Sequence, residues 1–241
     1  SSALPERGSE NGCGAPCVFG EGMRAGENVV PARTAVDHLL LGAADLDRGI
    51  AWVERRTDVK AVRGGSHPGV GTQNALISLG GRQYLEIIAP DPAQTLYNFT
   101  IDVRTLTEPR LITWAAVTGD INALAKSVRE AGHHILGPRE GSRARPDGKV
   151  LKWKTLGVLN TLGLQGVEPI PFFIEWSGDS LHPSQDSPLG CEFQSFEIDH
   201  PDPASVTDAL KELGIGAEVR PARKVNLSAT VTTPKGELEL N

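Results

Sequence analysis

The chain has 241 residues, a net charge of −6, 39% hydrophobic residues and 22% charged residues. This composition excludes a fully disordered chain and argues against a general nucleic-acid binder, which is normally basic. The apolar runs are far too short to cross a bilayer, so we expect no membrane partner. The partner that we expect is a small-molecule ligand.

Residues 1–33 are rich in Gly, Ser, Pro and Glu without helical or strand periodicity, which predicts a flexible leader. The one methionine is Met23, so we expect a processed or non-native start. The leader has no apolar stretch typical of a secretory signal. Cys13, Cys17 and Cys191 show no paired zinc-like spacing, which favours reduced thiols and a cytoplasmic protein.

A first module is predicted at residues 34–91. An apolar stretch at 36–41 predicts a strand, and Asp45 is a typical N-cap for the helical spacing that follows. Two further strands are predicted at 75–79 and 83–88, joined by a tight turn at two adjacent glycines.

The same order of elements returns at residues 110–178, which we predict to be a second module after a linker. A strand is predicted at 111–117, Asp120 is a typical N-cap of the next helix, and strands follow at 150–156 and 172–176. The linker before this module comprises residues 92–109.

The order returns a third time at residues 190–241, in a shorter module that follows a turn-rich linker at 179–189. A strand is predicted at 192–198, Asp202 is the expected N-cap, and the last strands lie at 227–232 and 237–240.

Three repeats of strand, capped helix and further strands predict an α+β fold. A βαβββ module has a helix on one face of a small sheet, so its other face needs a partner. We expect modules to pair into a curved, cup-shaped mixed sheet with the helices outside. The pairing within one chain and the pairing between chains of a homodimer both remain open.

Several sequence motifs resemble one known superfamily. They are DHLLLGAADL (37–46), GGSHPGVGTQNALISLGGRQYLEIIAP (64–90), PFFIEW (171–176) and HPDP (200–203). With the βαβββ repeat, they resemble the vicinal oxygen chelate superfamily, which includes glyoxalase I, extradiol dioxygenases and bleomycin-resistance proteins. The glyoxalase-like domain proteins are the most similar subgroup, and the resemblance extends over about residues 35–241.

The resemblance implies a divalent metal ion, such as Zn, Mn, Fe, Ni or Mg, inside the cup. Its ligands would be His38, Glu86 and Glu175, from the first and last strands of the paired modules. The position that corresponds to His38 in the second module falls on Thr113, with Trp114 beside it. Neither residue is a typical ligand of a divalent metal, and we expect both to contact substrate.

A metal at this place would polarise a carbonyl and stabilise an enediolate, with Glu86 or Glu175 as general base. We therefore expect a lyase or isomerase acting on a small oxygenated substrate. A dioxygenase is disfavoured because its facial triad needs two histidines and one carboxylate. A metal-free protein that binds or sequesters a small ligand is the alternative, and a vestigial cup in an interaction module is a third. The alternative to metal binding at His38 is a core histidine satisfied by a backbone or carboxylate partner.

Two other features leave alternatives open. The resemblance places His67 and Asn74 at the rim of the pocket, whereas a turn fixed by glycines and a proline also explains their segment. The basic residues within 139–154 either attract an anionic substrate or form a solvated loop and edge strand. His182 lies in the linker after the second module, and no feature of the sequence assigns it a role.

Overall fold

The computed structural model describes residues 29–144, 148 and 150–241. Met23, Cys13 and Cys17, with the predictions made for them, lie outside the described residues. Within the described residues, no helix is long and apolar enough to cross a membrane.

The first two modules contain two helices and eight strands besides a short N-terminal pair of elements. In chain order they are β1 (Val30–Pro31), α1 (Ala32–Ala35), β2 (Val36–Gly42), α2 (Leu46–Thr57), β3 (Val62–His67), β4 (Thr72–Ser78), β5 (Tyr84–Pro90), β6 (Arg110–Val117), α3 (Ile121–Glu130), β7 (Ile135–Ala144), β8 (Val150–Val158) and β9 (Phe172–Trp176).

The third module adds one helix and five strands after a short 3-10 helix at Pro183–Gln185. They are β10 (Glu192–His200), α4 (Pro203–Glu212), β11 (Ile215–Gly216), β12 (Val219–Pro221), β13 (Asn226–Thr233) and β14 (Gly236–Leu240).

The first two modules form a single eight-stranded sheet in the order β3-β4-β5-β2-β6-β9-β8-β7. Each module pairs its first and last strands in parallel, and the modules join where β2 pairs antiparallel with β6. The sheet curls so far that its two edge strands, β3 and β7, approach one another. The predicted α+β fold, with a cupped mixed sheet, is confirmed.

The outer face of this sheet carries the main apolar core. Leu39 and Leu41 of β2 point outward into it, whereas Leu40 points into the cup. The third module, whose four-stranded sheet has the order β12-β10-β13-β14, packs on the same outer face. Its Phe196 ring lies 5.0 Å from the ring of Trp114. The third module therefore stabilises the cup from outside and leaves the inside open.

The three predicted helix caps are present. The carboxylate of Asp45 accepts a hydrogen bond from the Arg48 amide at 2.8 Å. The carboxylates of Asp120 and Asp202 do the same at the starts of α3 and α4. These bonds satisfy amides that have no partner inside the helix, which is why the repeated aspartates mark the helix starts so reliably.

Within the eight-stranded sheet, the strands that sequence patterns do not predict are the two edge strands, β3 and β7. Both contain glycines at places where no side chain fits. A Cβ atom on Gly64 of β3 would stand 2.2 Å from Asn74 Oδ1, and one on Gly141 of β7 would stand 2.4 Å from Trp153 Nε1. Glycine is normally unfavourable in strands. At these positions the absence of a side chain lets neighbouring side chains pack directly against the strand backbone.

Cys191 is buried, and we expect its thiol to be unreactive in the folded protein. Burial raises the pKa of this thiol to about 11, more than a hydrogen bond with Thr57 lowers it. The reactive thiolate is therefore scarce at pH 8. In a variant with Cys13→Ser and Cys17→Ser, we expect Ellman's reagent to label Cys191 slowly in buffer and rapidly in denaturant. Equal labelling rates under the two conditions would show that Cys191 is accessible.

Candidate functional site

The concave face of the large sheet encloses a cavity of about 1010 Å³. This volume is at the upper end for pockets that hold small molecules. Inward-facing residues of the strands form its floor, and the segments 99–102 and 159–171 form much of its rim. Its apolar wall includes Leu40, Ile88, Phe99, Ile101, Trp153, Phe172, Ile174 and Trp176.

Four polar residues named by the sequence analysis meet on the floor of the cavity. His38 Nε2 lies 3.4 Å from Glu86 Oε2, and His67 Nε2 lies 3.7 Å from Glu86 Oε1. The Asn74 amide donates to Glu86 Oε1 at 2.7 Å. Thr113 lines the cavity on the neighbouring module. The first module therefore supplies a compact acid–base cluster, and the second module faces it with a hydroxyl group.

Burial lowers the pKa of His67, although the nearby Glu86 carboxylate raises it. His67 is therefore neutral at pH 7. Its Nδ1 lies 2.8 Å from the Thr72 hydroxyl, and its Nε2 lies 3.2 Å from the Asn74 amide nitrogen. These contacts tie the imidazole of His67 to β4, so it is held in one orientation at the edge of the cluster.

Asp37 joins this cluster because of an irregularity in β2. The pairing of β2 with β6 shifts register between Val36 and His38, which leaves Asp37 as an extra, unpaired residue. Adjacent strand residues normally point to opposite faces, and a bulge of this kind re-aims a side chain. The Asp37 carboxylate consequently lies beside the imidazole of the next residue, 2.7 Å from His38 Nδ1.

The Asp37 carboxylate is 2% exposed and contacts two further N–H groups. His182 Nε2 lies 3.1 Å from Asp37 Oδ2, and Trp176 Nε1 donates to the same oxygen at 3.2 Å. The Ser184 amide donates to His182 Nδ1 at 3.3 Å, so the Nε2 of His182 carries the proton and donates to Asp37.

Burial raises the pKa of Asp37, but hydrogen bonds from His182 and His38 outweigh burial and hold this pKa at about 2. Asp37 is therefore ionised at neutral pH, and His38 Nδ1 is the donor in their hydrogen bond. The other ring nitrogen, Nε2, faces Glu86 and the cavity. Tyr84 stacks on the His38 ring at 4.5 Å, which fixes its plane.

The comparisons with known proteins bear on this arrangement. The sequence model of the family described as glyoxalase-like domain matches residues 36–214. The chain belongs to the glyoxalase-like domain family. The predicted membership of the vicinal oxygen chelate superfamily is thereby confirmed. The match runs from the start of β2 to the end of α4, so it includes the whole cup of this glyoxalase-like domain protein.

Several solved structures are similar to this chain. A hypothetical protein from Staphylococcus aureus is 17% identical, with 85% of this chain and 83% of that chain covered and a TM-score of 0.55. Methylmalonyl-CoA epimerase from Mycobacterium tuberculosis is 18% identical, with coverages of 64% and 91% and a TM-score of 0.39. A variant of the Streptomyces coelicolor epimerase in complex with 2-nitronate-propionyl-CoA is 18% identical, with coverages of 58% and 96% and a TM-score of 0.42. No curated protein matches the sequence.

The prediction that Glu175 joins His38 and Glu86 in the cup is wrong. Glu175 Oε2 accepts a hydrogen bond from the Ile121 amide at 2.6 Å, at the N-terminus of α3. On β9 the residues that line the cavity are instead Phe172, Ile174 and Trp176. Because side chains alternate along the strand, Glu175 lies on the outer face. Its negative charge there interacts favourably with the positive end of the α3 helix dipole.

The prediction that Trp114 contacts substrate is also wrong, whereas its neighbour Thr113 lines the cavity. Trp114 is fully buried on the outer face of β6. Its indole N–H donates to the Pro169 carbonyl at 2.9 Å. The two neighbours separate because consecutive residues of a strand point to opposite faces.

The predicted metal site does not fit the donor set of this glyoxalase-like domain protein. Its second module presents Thr113 at one position where the resemblance implies a ligand, and Glu175, the implied ligand of the other strand, lies on the opposite face of the sheet. His38 Nε2 and His67 Nε2 lie 3.4 Å and 3.7 Å from different oxygens of Glu86. No group of three or more His, Cys, Asp or Glu in the described part of the chain is arranged to hold a metal ion.

The basic segment divides between the two faces of the sheet. Arg139 and Arg143 of β7 line the cavity. Lys154 is turned to the outer face, 3.8 Å from the Glu175 carboxylate. Sequence patterns assign no role to two residues of the site, Asp37 and His182, because neither a bulge nor a contact across 145 residues leaves a local signal.

Proposed function

We propose that this chain is an isomerase- or lyase-type enzyme that moves a proton on a small oxygenated substrate held in the cup. The observation that supports it is the line of groups from Asp37 through His38 to Glu86. This line ends at the floor of a cavity large enough for a small molecule. Paired acid–base groups of this kind are what proton transfer at carbon requires.

In the proposed reaction His38 is the general base. Because ionised Asp37 accepts from Nδ1–H, the lone pair of neutral His38 lies on Nε2, which faces the cavity. Nε2 takes the proton from a carbon next to a carbonyl, and the electron pair of the broken C–H bond moves onto the carbonyl oxygen. The imidazolium that forms lies between the carboxylates of Asp37 and Glu86, which stabilise its charge.

The proton then returns from the imidazolium to the same face of the carbon or to a neighbouring atom on that face. Where the substrate carries a leaving group on the next carbon, the electron pair of the enolate expels that group instead, and the imidazolium protonates it. Glu86 is the second group able to carry a proton at this place. The Thr113 hydroxyl lines the same cavity and is a candidate hydrogen-bond donor to the carbonyl oxygen.

The metal-dependent form of this activity needs protein ligands arranged around an ion, and no group of three or more His, Cys, Asp or Glu in the described residues has that arrangement. The described residues place Glu175 elsewhere, so we assign no step of the reaction to a metal ion. A metal-free binding protein is the second candidate, and the extensive apolar wall of the cavity favours it. Binding alone would use the wall and would not need the hydrogen bond between Asp37 and His38.

Exchange of carbon-bound hydrogen in D₂O tests the proposal directly. The protein would be incubated with a panel of small 2-oxo acids, 3-oxo acids and acyl thioesters, and deuterium incorporation next to the carbonyl followed by NMR. We expect at least one member to exchange faster with protein than with buffer, before and after treatment with EDTA. Exchange that is lost on chelation and restored by a divalent ion would instead support the metal-dependent form.

The binding alternative has its own result. A ligand that binds only the folded state raises the melting temperature, and the rise increases with the logarithm of its concentration relative to its Kd. If panel members raise the melting temperature and none of them exchanges, the chain is a binding protein and the proposed enzymatic activity is wrong.

A further inference from the structure

Tyr84 has a hydroxyl group that the proposed reaction does not use. It is the first residue of β5, and it pairs with His38 of β2 across the sheet. Its side chain lines the cavity together with that of Glu86, whereas Leu85 and Ile87 point into the outer core. Tyr84 is 4% exposed, so the small accessible part of its side chain faces the cavity.

In the part of the chain that the structure describes, the Tyr84 hydroxyl makes no hydrogen bond to another residue. The second tyrosine of the chain, Tyr97, differs in this respect. Its hydroxyl donates to the Ile101 carbonyl at 2.9 Å and accepts from the Val103 amide at 3.3 Å. A buried tyrosine hydroxyl normally has such partners. One that has none and lies at a cavity is available to an oxygen of a bound ligand.

The hydroxyl of Tyr84 is protonated at neutral pH. Burial raises the pKa of Tyr84 well above its ordinary value of 10, and the carboxylates of Asp37 and Glu86 raise it further. A protonated phenol can donate one hydrogen bond. A fixed donor of this kind stabilises an oxygen atom on which negative charge develops during a reaction.

The position of Tyr84 beside the proposed base indicates which oxygen it contacts. The Tyr84 ring stacks on the His38 imidazole at 4.5 Å, with 19° between the two planes. A carbon that gives its proton to His38 therefore lies close to Tyr84, and the carbonyl oxygen is two bonds away from that carbon. Thr113 lies on the other side of β2, where it pairs with Leu40. The two hydroxyl groups thus flank the base from opposite strands.

We infer that Tyr84 is a catalytic residue of the cup, whose hydroxyl donates a hydrogen bond to the carbonyl oxygen of the substrate. When His38 removes the proton, the electron pair of the C–H bond moves onto this oxygen, and the hydrogen bond strengthens as charge develops there. The phenol keeps its own proton throughout, so the transferred proton moves only between carbon and His38. This inference rests on the proposed function, because it concerns the same substrate.

Tyr84→Phe removes the hydroxyl and keeps the ring that stacks on His38. For the panel member that exchanges fastest, we expect the exchange rate at saturation to fall about 10²–10³-fold, as loss of one donor to a developing oxyanion does. The KM is expected to rise by less than about tenfold, because one neutral hydrogen bond contributes little to ground-state binding. An unchanged exchange rate would overturn the inference.

Binding of acetophenone tests the hydrogen bond without turnover, because this probe has one carbonyl oxygen and an aromatic ring for the apolar wall. With a ¹³C-labelled carbonyl, we expect the infrared band of the bound probe at lower frequency in the unmodified protein than in Tyr84→Phe, since an accepted hydrogen bond weakens the C=O bond. Its affinity, measured by ligand-observed NMR, is expected to fall about three- to tenfold in the variant. Identical band positions would overturn the inference, and so would no binding at about 20 mM.

Tyr97→Phe is the matched control. Tyr97 does not belong to the described cavity lining, and its hydroxyl has two partners. We expect Tyr97→Phe to lower the melting temperature and to leave the carbonyl band of bound acetophenone unchanged. Tyr84→Phe is expected to keep the melting temperature, because its hydroxyl has no protein partner to lose. An equal fall in both variants would show a structural role for the Tyr84 hydroxyl and overturn the inference.

Failure of the proposed function gives a different result. No panel member would then exchange hydrogen in the unmodified protein, while Tyr84→Phe would still move the carbonyl band of bound acetophenone. That result would support the hydrogen bond from Tyr84 to a ligand oxygen and overturn its catalytic part.

Discussion

Replacing His38 with Gln is expected to lower the rate of hydrogen exchange by about 10²–10⁴, the usual contribution of a positioned general base. Gln occupies a similar volume and keeps hydrogen-bonding atoms near Asp37 and Glu86, but it has no basic nitrogen. The measurement is the NMR exchange rate of the best panel member at pH 7. Ligand affinity is expected to change little, since the apolar wall is intact.

His134→Gln is the matched control. His134 is exposed and lies outside the cavity lining, so its replacement is expected to leave the exchange rate unchanged. A His38→Gln variant that exchanges at the rate of the unmodified protein would remove His38 from the mechanism, and Glu86 would then be the remaining candidate for the base.

Asp37 is a positioning residue for the same reaction, and its role is visible in the dependence of stability on pH. Its pKa lies at about 2 in the folded protein, below the ordinary value of 3.8. The ionised carboxylate therefore stabilises the fold above about pH 4, and this contribution is lost as the pH falls through 2. An Asp37→Asn variant is expected to be less stable at neutral pH, by about 2 kcal/mol or more.

Urea denaturation between pH 2 and pH 7 measures this contribution. The difference in unfolding free energy between the two proteins is expected to shrink below pH 4. The same variant is expected to lose hydrogen exchange, because the Asn amide donates to His38 Nδ1 and moves the ring proton onto Nε2. A constant stability difference over the whole range would show that the ionisation of Asp37 does not matter.

The repeat made most of the fold predictable from sequence. Helix starts were readable because Asp45, Asp120 and Asp202 satisfy the first amides of their helices. The strand at 172–176 was predicted with the bounds that β9 has. The edge strands β3 and β7 could not be predicted, because they contain glycines and charged residues, which are typical of loops.

The site was predictable where strand alternation is regular and not where it is interrupted. His38 and Glu86 share the inner face with Leu40 and Ile88, as alternation along β2 and β5 implies. The register shift at Asp37 breaks this rule and adds a carboxylate that alternation would place outside. The prediction for Glu175 failed for a different reason. Its motif resembles the family, but its carboxylate lies on the outer face of the sheet, where it caps α3.

Trp114→Ala is expected to destabilise the protein by about 3–5 kcal/mol, the usual cost of removing a large buried aromatic side chain. Trp114 is fully buried, and its ring packs on Phe196 of the third module. Truncation therefore leaves a void between the cup and the third module. Chemical denaturation measures the change. Trp114→Phe, which keeps most of the packing and removes the hydrogen bond to Pro169, is expected to cost about 1–3 kcal/mol.

Substitution of the neighbouring residue, Thr113, is expected to have the opposite effects on stability and binding. The two variants together test which side chain of β6 faces the cavity. Thr113→Val keeps the shape of a side chain that lines the cavity and removes only its hydroxyl, so it is expected to alter ligand binding or exchange with little loss of stability. Trp114→Phe is expected to lower stability and leave binding unchanged. If Trp114→Phe weakened binding in a fully folded protein while Thr113→Val did not, the assignment of the inner and outer faces of β6 would be reversed. The second module would then meet the substrate through the indole rather than the hydroxyl.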